Sequence, residues 1–191
     1  FDNENLEIVD QVFCWGNHDY EFLTKKFPTY KNKFNLSGSP RMDLSKKYFS
    51  KFWNQNRECL EKNILICLNF PLINGFLKTN KIYNELKKQG FFERSKLREK
   101  EYFEFLEDSK KSFEQFKDLI NYLIEDLKDY NFVVRPHPME KTETWNETLN
   151  IKENLKINNK NILNYDLTQS KLIIHNGCTS AFQAAIHDIP I

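Results

Sequence analysis

Short apolar runs separated by long charged stretches set the plan of this chain. Residues 63–70 (NILICLNF) form a continuous apolar run, the pattern of a strand buried on both faces of a parallel sheet. Two further runs, 130–135 (YNFVVR) and 171–174 (KLII), have the same character. The intervening segments carry helical spacing. Residues 79–89 and 95–128 are charged, and in the second Phe103, Leu106, Phe113, Phe116, Leu119, Ile120, Leu123, Ile124 and Leu127 recur at threes and fours, giving one face to lay on a sheet. Its length suits two helices or one bent one. Residues 142–149 read as a short helix, 156–157 and 161–163 as thin strand-like pieces, and 179–187 as a helix. Upstream, 7–15 read as a strand, 19–27 as a helix, 34–36 as a strand and 45–59 as a loosely amphipathic linker helix. The expectation is an α/β fold whose parallel sheet is built from 64–70, 132–135 and 172–174, with right-handed crossovers carrying the helices.

Two breaks in this pattern carry chemistry. His175-Asn176-Gly177 is a turn between the last strand and the last helix. Gly177 can take a left-handed backbone, and Thr179 or Ser180 can cap the helix. The amides of Cys178, Thr179 and Ser180 then point outward at a positive helix end, an anion site without a charged side chain. The bland alternative is the βα turn of any α/β protein. At the other break, Arg135-Pro-His137-Pro places both Arg135 and His137 before prolines, which favours extended backbone. Residues two apart on an extended chain face the same way, so both are expected to project from the carboxyl end of their strand, the edge at which open α/β sheets bind ligands. A guanidinium, an imidazole and a helix N-terminus together suit a diphosphate. Taken singly, Arg135 also reads as a surface ion pair and His137 as a structural histidine.

The block R-P-H-P-M-E (135–140) followed by Trp145, the block H-N-G-C-T-S-A-F-Q-A-A (175–185) and the closing I-P-I resemble the surface carbohydrate biosynthesis proteins, whose fold is similar to GT-B glycosyltransferases and nucleotide-sugar 2-epimerases. Upstream, V-D-Q-V-F-C-W-G (9–16), G-S-P-R-M-D (38–43) and the strand 64–70 look like the same family in order. The resemblance implies the C-terminal half of a GT-B-like fold: the end of an N-terminal Rossmann-like domain (1–40), a linker (41–62) and a truncated C-terminal Rossmann-like domain (63–191) that binds a nucleotide sugar. It implies that His137 and the 176–180 turn face the donor's phosphates, and on the reading of the residues themselves His137 and Arg135 are the expected catalytic groups, neutralising the departing diphosphate. His175, Asn176, Gly177, Cys178, Thr179, Ser180, Gln183 and Glu140 become donor-binding residues. Related proteins carry Glu where this chain has Gln183, and an amide accepts a ribose hydroxyl less strongly than a carboxylate.

Composition narrows the partners. With 28 Lys and Arg against 27 Asp and Glu, the net charge is +1, and the concentrated basic face that nucleic-acid binding needs is missing. Cys14, Cys59, Cys67 and Cys178 are too widely spaced for paired zinc ligands and outline no disulfide framework, so no metal is expected and a reducing cytoplasm is the natural setting. No apolar run is long enough to span a bilayer, although peripheral association with the inner face of the cytoplasmic membrane stays open. The chain begins at Phe1 and stops as another strand is expected after Pro190, the pattern of an internal piece of a longer protein. The expected function is transfer of a sugar from a nucleotide-sugar donor to a glycan or lipid-linked acceptor in surface-polysaccharide assembly, with no further cofactor. Epimerisation, polyol-phosphate transfer, a nucleophilic Cys178 with His175 or His137 as base, and a non-catalytic relative are the alternatives.

Overall fold

The structure, a computed structural model, describes residues 2–53, 62–93, 95–158 and 160–191. Contacts divide it into two units, Phe1–Ser50 and Lys51–Ile191. Cys59 and positions 54–59 of the expected linker helix lie outside the described residues.

The first unit opens with a helix where a strand was expected. α1 (Asn3–Ile8) is capped by Asp2, whose carboxylate accepts the Asn5 amide at 2.8 Å. At its other end, the Lys33 ammonium donates to Leu6 O at 2.7 Å and Val9 O at 2.8 Å. The carbonyls that a strand would have paired are thus taken by a side chain 27 residues on from Leu6. Only Val12–Cys14 extends, as β1, followed by α2 (Asn17–Lys26) and β2 (Phe34–Leu36). β1 and β2 pair in parallel, Val12 opposite Phe34, a βαβ unit whose core is Leu6, Val12, Cys14, Phe27 and Phe34. Ser39 then caps α3 (Pro40–Asp43). Of the expected linker helix, the described part is a 3-10 turn, Lys47–Phe49, and one helical turn, α4 (Ser50–Trp53).

The second unit is a four-stranded sheet, all parallel. Its strands are β3 (Asn63–Cys67), β4 (Asn131–Arg135), β5 (Leu155–Ile157) and β6 (Leu172–His175), in the order β5-β4-β3-β6. Val133 and Ile173 both stand opposite Leu65, so the three expected strands share one sheet. The helices are α5 (Pro71–Asn74), α6 (Thr79–Lys88), α7 (Lys96–Asp126), α8 (Thr142–Thr148), α9 (Leu163–Thr168) and α10 (Ser180–Ile186). Residues 161–163 are therefore not strand, because Leu163 already starts α9, and residues 71–74 close one helical turn.

Strand order explains which face each helix covers. The chain steps from β3 to β4 to β5 in one direction and then returns to the far side of β3 with β6. Right-handed crossovers taken in opposite directions deposit their helices on opposite faces. One face buries Ile64, Ile66, Phe132 and Val134 against Phe113, Ile120 and Ile124 of α7 and Trp145 of α8. The other buries Leu65, Cys67 and Ile173 against Leu167 of α9 and Ala184 of α10.

α7 is one unbroken helix of 31 residues, capped by the Ser95 hydroxyl on the Leu97 amide at 3.2 Å. Its carboxyl-terminal half lies on the sheet. Its amino-terminal half meets α6 and the turn that follows in an aromatic cluster, where Tyr83 contacts Phe92, Tyr102 and Phe103 at centroid distances of 5.3, 5.9 and 5.4 Å.

After α5 the backbone folds back tightly at Gly75, where a Cβ would lie 2.1 Å from the carbonyl oxygen of Pro71. Gly75→Ala is expected to lower stability by about 1–3 kcal/mol, the cost of forcing an extra carbon into a packed site, measured as a shift of the urea midpoint at unchanged slope.

Candidate functional site

The strands end on one edge of the sheet, and the loops leaving that edge are tied together by a buried carboxylate. Glu140 is 1% exposed. Its Oε1 accepts the amides of Phe70 at 2.8 Å and His137 at 3.1 Å, and its Oε2 accepts the Trp145 indole N–H at 2.9 Å and the Asn74 amide group at 3.5 Å. The Glu140 amide in turn donates to His137 O at 2.8 Å. One side chain thus gathers the loop after β3, the turn after β4 and α8. Expected to bind donor, Glu140 instead spends both oxygens on its own chain, as burial of a carboxylate requires.

Arg135 also departs from expectation. Its guanidinium donates to Asp166 Oδ2 and to Asn161 O, both at 2.6 Å, with the Arg135 and Asp166 side chains only 14% and 6% exposed. Asn161 completes the group by donating to Asp166 Oδ1 at 2.9 Å. Arg135 therefore locks β4 to α9, and the fork that was to meet phosphate is already filled by a carboxylate and a carbonyl.

His137 goes elsewhere. It lines an apolar cavity of about 270 Å³ with Leu72, Phe76, Leu77, Ile82 and Met139. Its Nδ1 accepts the Met139 amide at 3.1 Å, so in the neutral ring the proton sits on Nε2, a donor. Arg135 and His137 therefore engage different partners, Arg135 the Asp166 carboxylate of α9 and His137 the Met139 amide beside the apolar cavity.

The turn after β6 takes the predicted backbone. Gly177 has φ +79° in open space, and its amide donates to His175 Nδ1 at 3.1 Å. Asn176 Nδ2 donates to Asn69 O at 3.3 Å, strapping this turn to the loop after β3, while its Oδ1 is buried without a protein partner. Neither expected cap acts. Thr179, at the cap position, makes no side-chain bond to the helix, and the Ser180 hydroxyl is in contact with the Cys178 sulfur. The Cys178 and Thr179 amides donate to no backbone carbonyl among the described residues. Gln183 is buried, its amide group donating to Asn164 Oδ1 at 3.2 Å in α9. A ribose has no access to it there.

Cys178 sits over the end of β3. Its sulfur is 3.9 Å from Cys67 O and packs against the apolar cluster that contains the Cys67 side chain. Hydrogen bonding with Cys67 and with the Ser180 hydroxyl and amide, and the nearby His175, hold the Cys178 thiol well below its ordinary range. Hydrogen bonding with Cys178, together with burial, pushes the Cys67 thiol up. Among the described residues no group of three or more His, Cys, Asp or Glu is placed to hold a metal ion, and no helix is long and apolar enough to cross a membrane.

Asp166, Asn164 and Cys67 were not singled out as partners of the two motifs. Cys67 had one legible signal, its place inside the apolar run 63–70, which marks it as buried.

Glu140→Ala strands several buried donors and is expected to destabilise severely, by roughly 1–3 kcal/mol for each donor left bare, with Glu140→Gln intermediate because one acceptor oxygen remains. Urea unfolding checks the order. For the ion pair, Arg135→Met or Asp166→Asn alone is expected to cost about 3–5 kcal/mol, and the double variant less than the sum, read from a double-mutant cycle.

Comparison with family models, with curated proteins and with solved structures yields no match to this chain.

Proposed function

We propose that the chain carries the nucleotide-sugar-binding part of a glycosyltransferase-like enzyme of surface-polysaccharide synthesis, with the donor diphosphate at the sheet edge between the loops after β3 and β6. The observation that carries this reading is the reversal of strand order at β3: β4 and β5 lie to one side and β6 to the other. Two adjacent strands whose connections leave in opposite directions open a crevice at their carboxyl ends, and open α/β sheets bind ligands there. The left-handed Gly177 and the amides of Cys178 and Thr179 stand at that crevice, and His175 Nε2, protonated when Nδ1 accepts the Gly177 amide, adds a donor. These groups stabilise negative charge developing on a departing diphosphate by preorganised hydrogen bonding. His137 serves from the neighbouring loop, while Arg135 acts as a positioning residue through α9. The acceptor on this reading is a glycan or lipid-linked sugar.

A second reading, binding of the nucleotide sugar without transfer, is favoured by Gln183, whose amide is committed to Asn164 where the resembled family places a ribose-holding Glu. Epimerisation and polyol-phosphate transfer use the same crevice and differ only in products.

In full-length protein, Gly177→Val is expected to weaken binding of UDP-, GDP- or CMP-sugars most, because a β-branched residue resists the left-handed region. His137→Ala should lower transfer efficiency about ten- to a hundred-and-fifty-fold, the loss of a contact to charge worth roughly 1.5–3 kcal/mol. Melting temperature measured beside titration separates misfolding from lost binding. Wild-type binding and turnover in both variants place the diphosphate elsewhere, and binding without consumption of any donor selects the second reading.

A further inference from the structure

The loop after β6 brings together two cysteines that are far apart in sequence. Cys67 ends β3 and stands opposite His175. From His175, the left-handed step at Gly177 turns the chain back over β3, so that the Cys178 sulfur lies 3.9 Å from the Cys67 carbonyl oxygen and packs against the apolar cluster that contains the Cys67 side chain. The two differ in exposure: Cys67 is buried on the face covered by α9 and α10, whereas Cys178 is half-buried beside the exposed Gly177 and Thr179. Both are free thiols, as is Cys14 of the first unit.

We propose that Cys178 and Cys67 form a modification site for peroxides, in which Cys178 is oxidised first and Cys67 resolves it to a reversible intramolecular disulfide. In the first step the Cys178 thiolate attacks one oxygen of hydrogen peroxide. The S–O bond forms as the O–O bond breaks, giving Cys178 sulfenic acid and a hydroxide that leaves as water after taking a proton. In the second step the Cys67 sulfur, having lost its proton, attacks the Cys178 sulfur, and the departing hydroxide takes that proton as a second water. Two thiols and one peroxide become one disulfide and two waters, sulfur giving up two electrons and peroxide oxygen accepting them. An exogenous dithiol reverses the change by exchange.

The division of roles follows from the surroundings. Hydrogen bonding with Cys67 and Ser180 favours the Cys178 thiolate, the reactive form, and buried Cys67 keeps its proton until the neighbouring sulfur becomes electrophilic. A low-pKa, accessible cysteine beside a resolving thiol is the arrangement that peroxide-sensitive sites require. The proposal stands apart from the donor-binding reading, since it needs only the two sulfurs.

The test uses reduced full-length protein treated with hydrogen peroxide, blocked with N-ethylmaleimide and mapped by mass spectrometry. Expected is a cross-linked peptide pair joining Cys67 to Cys178, about 2 Da lighter than the sum of the two free-thiol peptides and carrying no maleimide on either cysteine, which dithiothreitol added before blocking converts to two separately blocked peptides. In Cys67→Ser, dimedone is expected to capture Cys178 as its sulfenic acid, a signal lost in the wild type; in Cys178→Ser, Cys67 stays reduced. The proposal is overturned if Cys178 remains reduced, proceeds to sulfinic acid while Cys67 keeps its thiol, or pairs with another cysteine. The wild-type map needs no substitution, so it decides the matter even where a variant fails to fold.

Discussion

A carboxylate removed from water fixes the working edge of the second unit. Ionised or not, a buried Glu must find hydrogen bonds inside the protein or abandon its site, and Glu140 finds them from β3's exit, from β4's exit and from α8. The dependence runs further than the loops. Holding the Trp145 indole sets the ring that packs at 4.7 Å from Phe113 of α7 and 6.1 Å from Phe70, so the same acid that shapes the edge also seats the plug between sheet and long helix. Polar and apolar order are here one constraint, because the ring cannot turn without leaving an indole N–H and a carboxylate oxygen unsatisfied in the dry interior.

On the opposite face a different device does comparable work. The Arg135–Asp166 pair, joined by Asn161, staples β4 to α9, while Gln183 and Asn164 join α10 to α9. Both helices are short, of six and seven residues, and neither has a side-chain cap. Helices of this length have little stability of their own, so they depend on such cross-links and on the apolar contacts of Leu167 and Ala184. The polar residues of the motifs are therefore divided between building the sheet edge and facing it.

Much of the fold was legible in the sequence because its signals are local. A continuous apolar run states burial on both faces, and the spacing of Phe113, Phe116, Ile120, Leu123 and Ile124 states which side of α7 meets the sheet. Gly177 announced its backbone for the same reason. What escaped depends on partners distant in the chain. Residues 7–9 carry an apolar pattern that suits a strand, but Lys33 supplies acceptor-satisfying donors to the end of α1. Arg135 and Glu140 look like ligand groups when read beside His137, and their real partners, Asp166, Phe70 and Trp145, come into reach only once the sheet is assembled. Composition cannot separate a polar residue that recognises a ligand from one that satisfies its own backbone; only the accounting of donors and acceptors does so.

The length of α7 sets a mechanical limit. Thirty-one residues span about 46 Å, whereas a five-residue strand such as β3 covers only roughly 17 Å. The helix therefore overhangs the sheet. Its carboxyl-terminal half is clamped by the main core, and its amino-terminal half is held by the aromatic cluster shared with α6, with Phe103, Phe105 and Leu97 still open to water. The rod thus meets two different sets of packing partners along its length, and amide protection along it should step down rather than fade as it passes beyond the sheet.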